Sequence, residues 1–449
     1  MERNIGVIEI KDLVGYDQSD SIISPVWGDS VGIYDAKTGK LNGQSVGEGV
    51  RVQAESLFTE LELYAQLSNV CNMVCPDCAV GLDEIKDHDS IEWMSDEVLE
   101  KGIRGIVDSA IKTDRKSVKI KFAGGETMLK RSMDPIDRQQ KTIKEIKTRY
   151  SQLEINQVVI TNGTLLTPEN VKKLKEWDAY VSVSLWGIGE RNDTERKSKV
   201  GGSYNKVVEG LERLFEAEVE FGVHHVISPS NAPYFDDFIR TLGDPESDNY
   251  PAKNWNWARK PQPLPITIQI KRPQSPASSN LYQAEIPNMI SGIRKGAEVV
   301  LDLLNRGYKV SYLHRLDFFQ PFEIKMTTCG SGFNYIAIGP KGQVAGCHEA
   351  LRFTKSTIDS LSSQLSLLEM ANKYYSGSQE KLHGLGLDFG ETADNTLIAL
   401  ALHGGGGCPI LSRMENKGEM GHAANFTQQI YEALLPDMLA LEVKRQKMN

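Results

Sequence analysis

The chain has 449 residues, of which 40% are hydrophobic and 25% are charged, and its formal net charge is −9 at pH 7. This composition is typical of a folded globular protein and excludes a largely disordered chain. The longest apolar runs are too short to cross a bilayer and the first residues lack the layout of a secretory signal, so we expect a cytoplasmic protein without membrane-spanning segments. An acidic chain without a block of Lys and Arg also disfavours nucleic acid as a partner.

The predicted elements begin with a short strand-rich segment and continue as an alternation of strands and helices. Residues 1–56 contain two short apolar runs beside a turn-rich stretch, which predicts a small strand-rich cap. The strands predicted after it cover 57–67, 117–124, 157–163, 180–187, 220–228 and 265–271, with 309–314 as a further candidate at the sheet edge. The helices predicted between them cover 95–112, 133–149, 168–176, 203–217, 231–242 and 286–306.

This alternation favours parallel strand pairing with the helices packed on the outside. Six such units predict an α/β fold, a partial (β/α)6 barrel over residues 57–315. After residue 316 the alternation stops, and the hairpin sequence NYIAIGPKGQVAGC is followed by a predicted helix near 359–376. A last helix is predicted over 423–446, kinked at Pro436. We expect residues 316–449 to form a separate C-terminal domain.

Three of the six cysteines lie within eight residues, directly after the first strand of the predicted barrel. Cys71, Cys75 and Cys78 form the cluster CNMVCPDC. A reducing compartment disfavours disulfide bonds, and a structural zinc ion needs four ligands, usually supplied as two pairs. No second C-x2-C or H-x3-H pair is present to complete such a site. Three thiolates on one loop are typical of a [4Fe–4S] cluster with one open iron, and the spacing alone leaves both metals as hypotheses.

Polar and glycine-rich motifs follow the next three predicted strands. Gly124-Gly125-Glu126 ends the second strand, Thr161-Asn162-Gly163 ends the third, and Ser184 lies near the end of the fourth, with Arg196 in the loop after it. Because the carboxyl ends of barrel strands meet at one rim, we expect these groups to lie beside the cysteine cluster. Taken singly, each has an ordinary explanation as a turn, a buried hydroxyl or a surface charge.

His224 and His225 are adjacent in the fifth predicted strand and could suggest a metal site. Successive strand residues point to opposite faces of a sheet, so the two rings cannot bind one metal ion from a regular strand. At most one of them faces the interior of the barrel.

With these motifs in order, the chain resembles the radical S-adenosylmethionine (radical SAM) superfamily, in particular the branch that carries a C-terminal SPASM or shortened twitch extension. The resemblance covers about residues 57–435. It rests on CNMVCPDC, KFAGGETML, ITNGTLLTPENV, VSVSLWGIGERNDTERKSKVGGSYNKVVEGLERL and CGSGFNYIAIGPKGQVAGCHEAL. It implies a partial (β/α)6 barrel followed by an auxiliary-cluster domain over residues 316–449.

The resemblance implies that Cys71, Cys75 and Cys78 hold a [4Fe–4S] cluster, which binds S-adenosylmethionine and cleaves it to a 5′-deoxyadenosyl radical. It places seven further residues around S-adenosylmethionine: Gly124, Gly125, Glu126, Asn162, Ser184, Arg196 and Val226. The first three would hold the methionine amino group, and the asparagine would lie near the ribose. The serine and the arginine would bind the methionine carboxylate, to which a guanidinium is well matched, and the valine would neighbour the adenine.

An auxiliary [4Fe–4S] cluster on Cys329, Cys347 and Cys408 is also implied by the resemblance. Its fourth ligand is unassigned, although His348 and His403 are close in sequence. The full SPASM pattern uses more cysteines than this chain has left, so the resemblance implies one auxiliary cluster at most. The alternative is that this cluster has been lost altogether.

Two residues depart from the pattern of the family. Asp77 precedes the third cysteine, where an aromatic residue is usual, and Trp186 replaces the acidic residue found in peptide maturases. The second departure disfavours sulfatase-maturase activity specifically.

By resemblance, the leading hypothesis is an enzyme that abstracts hydrogen from a ribosomally made peptide and so installs a crosslink, a rearrangement or excision, an epimerisation or an oxidation. Its partners would be the peptide, a separate leader-binding protein and an electron donor of the flavodoxin or ferredoxin type. One alternative is a small-molecule radical SAM dehydrogenase or carbohydrate-modifying enzyme. The other is a non-catalytic scaffold stabilised by zinc.

Overall fold

The computed structural model describes residues 60–76, 78, 91–255, 261–271, 276–313 and 334–353, strand residues between 21 and 45, and separate positions between 429 and 448. The chain divides into two compact units. The first, here called the barrel unit, contains residues 58–278 and 330–376. The second, the terminal unit, contains residues 1–57, 279–329 and 377–449.

The described residues between 21 and 45, in the terminal unit, form a small antiparallel sheet. Its strands follow one another in the order β1-β2-β3-β4. They are β1 (Ser21–Val26), β2 (Ser30–Asp35), β3 (Lys40–Leu41) and β4 (Gln44–Ser45).

The barrel unit is built on six parallel strands that alternate with helices, as the sequence predicts. The strands are β5 (Glu60–Gln66), β6 (Ser117–Ala123), β7 (Glu154–Thr161), β8 (Ala179–Ser184), β9 (Phe221–Ile227) and β10 (Ile266–Ile270). Each pairs in parallel with the next along the chain. The fold is therefore a partial (β/α)6 barrel, and each predicted strand is confirmed to within a few residues.

Six helices lie between these strands along the chain. They are α1 (Asp96–Lys112), α2 (Lys130–Arg149), α3 (Pro168–Glu176), α4 (Glu190–Glu195), α5 (Tyr204–Glu216) and α6 (Phe235–Gly243). The start of α3 shows why helix starts could be predicted from the sequence. The Thr167 hydroxyl accepts a hydrogen bond from the Asn170 backbone N–H, and Pro168 occupies the first turn.

The two faces of the sheet differ in character because side chains alternate along each strand. Leu61, Leu63 and Ala65 of β5 are fully buried on the face covered by α1, where Leu63 lies beside Gly102. The alternate residues of the same strand, Glu62 and Tyr64 among them, lie on the opposite face, here called the inner face.

The sheet edge beyond β5 corrects one prediction. Residues 309–313 form no strand; instead β11 (Tyr335–Ile338) pairs in parallel with β5 and continues as an antiparallel hairpin into β12 (Val344–Ala345). The Ile338 side chain of β11 packs against α1 at Gly102, which explains why this segment occupies the edge. The predicted hairpin is confirmed.

The apolar run at 309–313 is buried for a different reason, within the terminal unit. Val310 and Tyr312 are buried, and their carbonyl oxygens accept hydrogen bonds from the Arg445 guanidinium. Those carbonyls therefore find a side-chain donor, which replaces the strand partner that the prediction assumed.

The long helix α7 (Pro276–Asn305) starts about ten residues before the predicted start. The prediction placed the start beside Pro287, but this proline lies inside the helix. Described positions between 429 and 445 are helical, and in the terminal unit Arg294 of α7 pairs with Asp437 at 3.1 Å. The predicted helix at 359–376 and the kink at Pro436 lie outside the described residues.

The predicted boundary between residues 56 and 57 lies next to the boundary between the two units. The predicted boundary at 315 has no such counterpart, because residues 279–329 group with the terminal unit. An auxiliary-cluster domain over 316–449 stays a prediction. Within the described ranges, no helix combines the length and the apolar character that crossing a bilayer requires.

Candidate active site at the carboxyl rim of the barrel

Residues 71–78, which contain the three cysteines, are here called the cysteine loop. The loop after β6 lies along the chain segment that leads into it. The backbone N–H of Gly125 donates to the Ser68 carbonyl at 2.8 Å, and that of Glu126 donates to the Val70 carbonyl at 2.8 Å. These bonds fix the entrance of the cysteine loop against the end of the second barrel strand, as the rim argument predicts.

The two glycines are required by this close approach. A Cβ atom at Gly125 would lie 1.8 Å from the Val70 carbonyl oxygen, and one at Gly124 would lie 2.6 Å from the Ser68 carbonyl oxygen. Gly124 also has a φ of 129°, which L side chains rarely adopt. The carbonyl oxygens of both glycines accept no hydrogen bond from the described residues.

Asn162, after β7, reaches the first cysteine. Its side-chain N–H donates to the Cys71 sulfur at 3.6 Å and to the side-chain Oδ1 of Asn72 at 2.8 Å, while the Met73 backbone N–H donates to the same sulfur at 3.4 Å. Burial and then the Glu126 charge raise the pKa of Cys71 to about 12. The thiol is therefore held in place by hydrogen bonds, and it must lose its proton to bind a metal.

Cys75 and Cys78 complete the cluster, and both are half-buried and free of disulfide bonds. Burial raises the pKa of the Cys75 thiol, while the positive charges of Arg196 and Lys271 act in the opposite direction. Among the described residues, no three His, Cys, Asp or Glu side chains are grouped around a single metal-ion position.

Glu126 is buried between the ends of β6 and β7. One carboxylate oxygen accepts from the Thr161 hydroxyl at 2.6 Å and from the Met128 backbone N–H at 2.8 Å, and the other accepts from the Asn162 backbone N–H at 2.8 Å. Burial raises the pKa of Glu126 despite these donors. The carboxylate thus holds two strand ends together, which makes it a positioning group for Asn162 and for the cysteine loop.

Arg196 is buried, so its reading as an ordinary surface charge is wrong. Its guanidinium lies 4.7 Å from the centre of the Trp186 ring, and its Nε is buried without a hydrogen-bond partner among the described residues. Asn192 and Ser203 support this arrangement: Asn192 accepts from the Trp186 backbone N–H at 3.0 Å, and the Ser203 hydroxyl donates to the Arg196 carbonyl at 3.1 Å. Ser184, at the end of β8, is also buried.

Val226 lies in β9 on the same face as His224 and is buried. Its carbonyl oxygen accepts from the Asn231 side chain at 2.9 Å. His225 faces the other way, with its ring 3.9 Å from the ring of Phe238, which confirms that the two histidines cannot share a metal ion. Burial lowers the pKa of His225 to about 3 and that of His224 to about 4.

The residues present fit a [4Fe–4S] cluster that carries S-adenosylmethionine. Three thiols lie on one loop, the two glycines let the backbone approach the segment that enters this loop, and Arg196 presents an orphaned buried N–H suited to a carboxylate. The fit between these residues and the two groups therefore rests on several motifs together and not on one.

Sequence analysis missed Lys271, the residue that follows β10. Its Nζ donates to the carbonyl oxygen of Pro76, inside the cysteine loop, at 3.2 Å. A signal was present, because Lys271 ends the sixth predicted strand and the rim rule applies to it as it does to Ser184. Lysine at a strand end is too common for the rule to identify it without the contact.

Of the downstream cysteines, only Cys347 lies within the described residues, where it is half-buried after β12. The neighbouring His348 stacks on Tyr64 with ring centres 4.7 Å apart, and its Nδ1 lies 3.1 Å from the Tyr335 hydroxyl. The following residues lie outside the described ranges: Asp77, Cys329, His403 and Cys408. The auxiliary cluster therefore stays a prediction.

Comparison with known proteins agrees with this site. Residues 66–242 match the radical SAM superfamily. The chain is 33% identical over 172 residues to the serine-type anaerobic sulfatase-maturating enzyme of Bacteroides thetaiotaomicron, which is 38% of this chain and 40% of that protein. It is 31% identical over 162 residues to the Fe-coproporphyrin III synthase of Methanosarcina barkeri, which is 36% of this chain and 35% of that protein.

Among solved structures, the chain is similar to anSMEcpe with bound AdoMet and the Cp18Cys peptide, with a TM-score of 0.58 and 18% identity. That match covers 86% of this chain and 99% of the other, and at this identity it shows the fold. The chain spans between 35% and 57% of the length of the curated relatives it matches. The segment that matches the radical SAM superfamily, residues 66–242, contains the cysteine loop and the carboxyl ends of β5 to β9.

Proposed function

We propose that the protein is a radical SAM enzyme that removes a hydrogen atom from a carbon of a ribosomally made peptide. The observation that carries the proposal is the position of the cysteine loop. Gly125 bonds to the segment that enters this loop, Asn162 donates to Cys71, and the buried, orphaned Arg196 Nε lies at the same rim. A family match over 66–242 supports the same chemistry. When bound, the cluster and S-adenosylmethionine supply a 5′-deoxyadenosyl radical, which abstracts hydrogen from an unactivated C–H bond.

The chain's own residues would bind and orient the two groups. Cys71, Cys75 and Cys78 would ligate the cluster as thiolates, so their thiols must lose protons as it assembles. The open glycine carbonyls would accept hydrogen bonds from the methionine amino group. Arg196 would donate to the methionine carboxylate, and the buried Ser184 hydroxyl would be a second donor. Burial of these groups excludes water from the reacting centre.

A peptide substrate is supported by two comparisons with different content. One relative is a sulfatase-maturating enzyme, and one similar solved structure contains a bound peptide. Trp186, in place of the acidic residue of peptide maturases, argues for a modification other than sulfatase maturation. Hydrogen abstraction gives 5′-deoxyadenosine and a carbon radical; an oxidative outcome then requires transfer of one electron to an oxidised iron–sulfur cluster and of one proton to a base.

A second candidate function is small-molecule chemistry, because a relative of similar identity is an Fe-coproporphyrin III synthase. The two hypotheses differ in which substrate stimulates formation of 5′-deoxyadenosine. A non-catalytic zinc scaffold is a third possibility, which elemental analysis separates from the other two.

The test uses the full chain, reconstituted anaerobically with iron and sulfide and supplied with S-adenosylmethionine and a strong reductant. Short peptides encoded beside the gene are co-expressed or added, and their masses are measured, with Cys71→Ala as the control that should make no 5′-deoxyadenosine. We expect a mass change in one peptide and transfer of deuterium from the labelled peptide into 5′-deoxyadenosine. Stimulation by a coproporphyrin and by no peptide would contradict the peptide proposal, and zinc without iron would contradict enzyme function altogether.

A further inference from the structure

Lys271 connects the last strand of the barrel to the cysteine loop that follows the first. It comes directly after β10, where its backbone N–H donates to the Ile227 carbonyl at 2.7 Å, and this bond fixes the start of the side chain. The other end of the side chain donates to the Pro76 carbonyl at 3.2 Å, between the second and third cysteines. A single residue thus spans the opening between the two ends of the strand series.

The burial of Lys271 requires a reason, because a buried ammonium is costly unless it is paired. Only 7% of the residue is exposed. Its Nζ lies 3.9 Å from the Glu195 carboxylate, and Glu195 itself accepts hydrogen bonds from the hydroxyls of Ser228 and Ser230. The distance of 3.9 Å exceeds a hydrogen bond, so Glu195 supplies charge balance while the Pro76 carbonyl takes the directional bond.

The ammonium also shares an aromatic ring with the arginine of the site. Its Nζ lies 5.4 Å from the centre of the Trp186 ring, and the guanidinium of Arg196 lies 4.7 Å from the same centre. Both distances are within the range of a cation–π contact. The tryptophan that departs from the peptide-maturase pattern therefore provides a surface that holds two cations beside the cysteine loop.

We propose that Lys271 is a positioning residue for the cleavage cluster: it fixes the Cys75–Cys78 half of the cysteine loop to the end of β10 and holds a second positive charge, besides Arg196, next to the cluster. The inference rests on the proposed function, because it concerns the same cluster. Net charge and hydrogen bonding around an iron–sulfur cluster set its reduction potential. A buried positive charge favours the reduced cluster, because reduction adds one negative charge.

The chain offers a matched control. Lys199 donates to the backbone carbonyl of Cys71 at 3.1 Å, so it makes the same kind of bond to the same loop, but it is exposed to solvent. Solvent screens its charge, and its removal should therefore have little effect on the cluster.

The experiment measures the ratio of reduced to oxidised cluster by EPR at a fixed solution potential in the reconstituted full chain. We expect Lys271→Met to lower this ratio at least threefold, Lys271→Arg to restore it to within twofold of the wild type, and Lys199→Met to leave it unchanged. A wild-type ratio in Lys271→Met would overturn the inference. So would an equal loss in Lys271→Arg, since that variant keeps the charge.

Removal of the lysine could leave Glu195 buried without charge balance and so destabilise the fold. The same comparison is therefore also made between Glu195→Gln and the double variant Lys271→Met/Glu195→Gln. We expect the double variant to have a lower ratio of reduced to oxidised cluster than Glu195→Gln. Equal ratios would mean that Lys271 only balances the charge of Glu195, and would overturn the inference. A Lys271→Met protein that keeps the wild-type melting temperature and cannot retain iron also supports the inference, because the loop has lost its tether.

The two proposals fail in different ways. A wild-type protein that takes up no iron or forms no 5′-deoxyadenosine would overturn the proposed function. A wild-type protein that does both, with variants of Lys271 that match it in iron content and in the ratio of reduced cluster, would overturn only the inference about Lys271.

Discussion

Strands β5 and β6 carry polar groups at both ends, and the two ends differ in whether these groups are paired within the protein. Near the amino ends of the strands, Lys119 pairs with Glu60 and with Glu62, and Lys121 pairs with Glu62. Burial alone would raise the pKa of Glu62, but the two lysines hold it below its ordinary value. These four residues are here called the ion-pair ladder, and each of their charges is paired with another within the set.

The rim at the carboxyl ends is different. Its thiols form no disulfide bonds, and Arg196 keeps a buried Nε without a partner among the described residues. Buried polar groups in proteins are nearly always paired, so an orphaned group marks either strain or a missing ligand. We therefore interpret the ion-pair ladder as a structural feature and the rim as a binding site, although both consist of charged and polar residues on one sheet.

The largest expected effect is at Gly125, and it would show whether the rim depends on close backbone approach. The added Cβ of Gly125→Ala would lie 1.8 Å from the Val70 carbonyl oxygen, so the cysteine loop must move. We expect a loss of about 4 kcal/mol or more in unfolding free energy, together with loss of bound iron. Gly201→Ala is the control, because nothing lies within 4 Å of its Cβ position; it should cost about 1 kcal/mol and keep the iron. Equal effects would contradict the close-approach argument.

The next effect concerns the orphaned group itself. Arg196→Met removes the guanidinium and should weaken binding of S-adenosylmethionine to the iron-loaded protein by ten- to a hundredfold, about 1.4–2.8 kcal/mol. Arg191→Met is the matched control, because Arg191 also lies over an aromatic ring, that of Tyr234, but is exposed and paired with Asp237. Isothermal titration under anaerobic conditions measures both. Unchanged affinity in Arg196→Met would mean that its Nε serves no ligand.

A smaller effect is expected at Glu126, which belongs to the rim yet is fully hydrogen-bonded. Glu126→Gln replaces one of two carboxylate oxygens by an amide donor: one oxygen accepts from Thr161 and Met128, and the other accepts from Asn162. We expect a loss of about 2 kcal/mol in unfolding free energy measured by urea denaturation, because one buried donor loses its acceptor. Wild-type stability in this variant would contradict the role of Glu126 as the link between two strand ends.

The smallest effect is expected in the ion-pair ladder. Glu62→Gln should cost about 1 kcal/mol at neutral pH and leave iron content unchanged. Because the folded-state pKa of Glu62 is lowered from 4.5, its contribution is present above that value and is lost as the pH falls through the lowered pKa. Urea denaturation at neutral pH and well below pH 4.5 should therefore show the variant's deficit shrinking in acid. A deficit that grows in acid would contradict the pairing.

Much of the barrel unit and its rim could be predicted because their signals are local. Strand and helix alternation gave six parallel strands, and the motifs after β5 to β8 meet where the carboxyl ends meet. The pairing of β11 with β5 could not be predicted, since it joins segments about 270 residues apart and leaves no periodic signal in either. Apolar residues at 309–313 mark burial without strand pairing, so a local pattern predicted the wrong structure there.

Contacts across the rim were also beyond prediction. The sequence identifies Asn162 and Glu126 as motif residues, but their bonds to Cys71 and to Thr161 depend on the spacing of neighbouring strand ends. Lys271 has no motif at all, and only its 3.2 Å contact with the Pro76 carbonyl identifies it. Motifs therefore predicted that Asn162 and Glu126 lie at the rim, and the structure adds the contacts that hold them.

The most direct test of the central claim is the iron and acid-labile sulfide content of the anaerobically reconstituted chain, compared with that of a variant in which Cys71, Cys75 and Cys78 are all replaced by alanine. The wild type should exceed the variant by about four iron atoms and four sulfides per chain, the content of one [4Fe–4S] cluster. It alone should form 5′-deoxyadenosine from S-adenosylmethionine under strong reductant. Equal iron in the two proteins, or zinc bound in place of iron, would contradict the account.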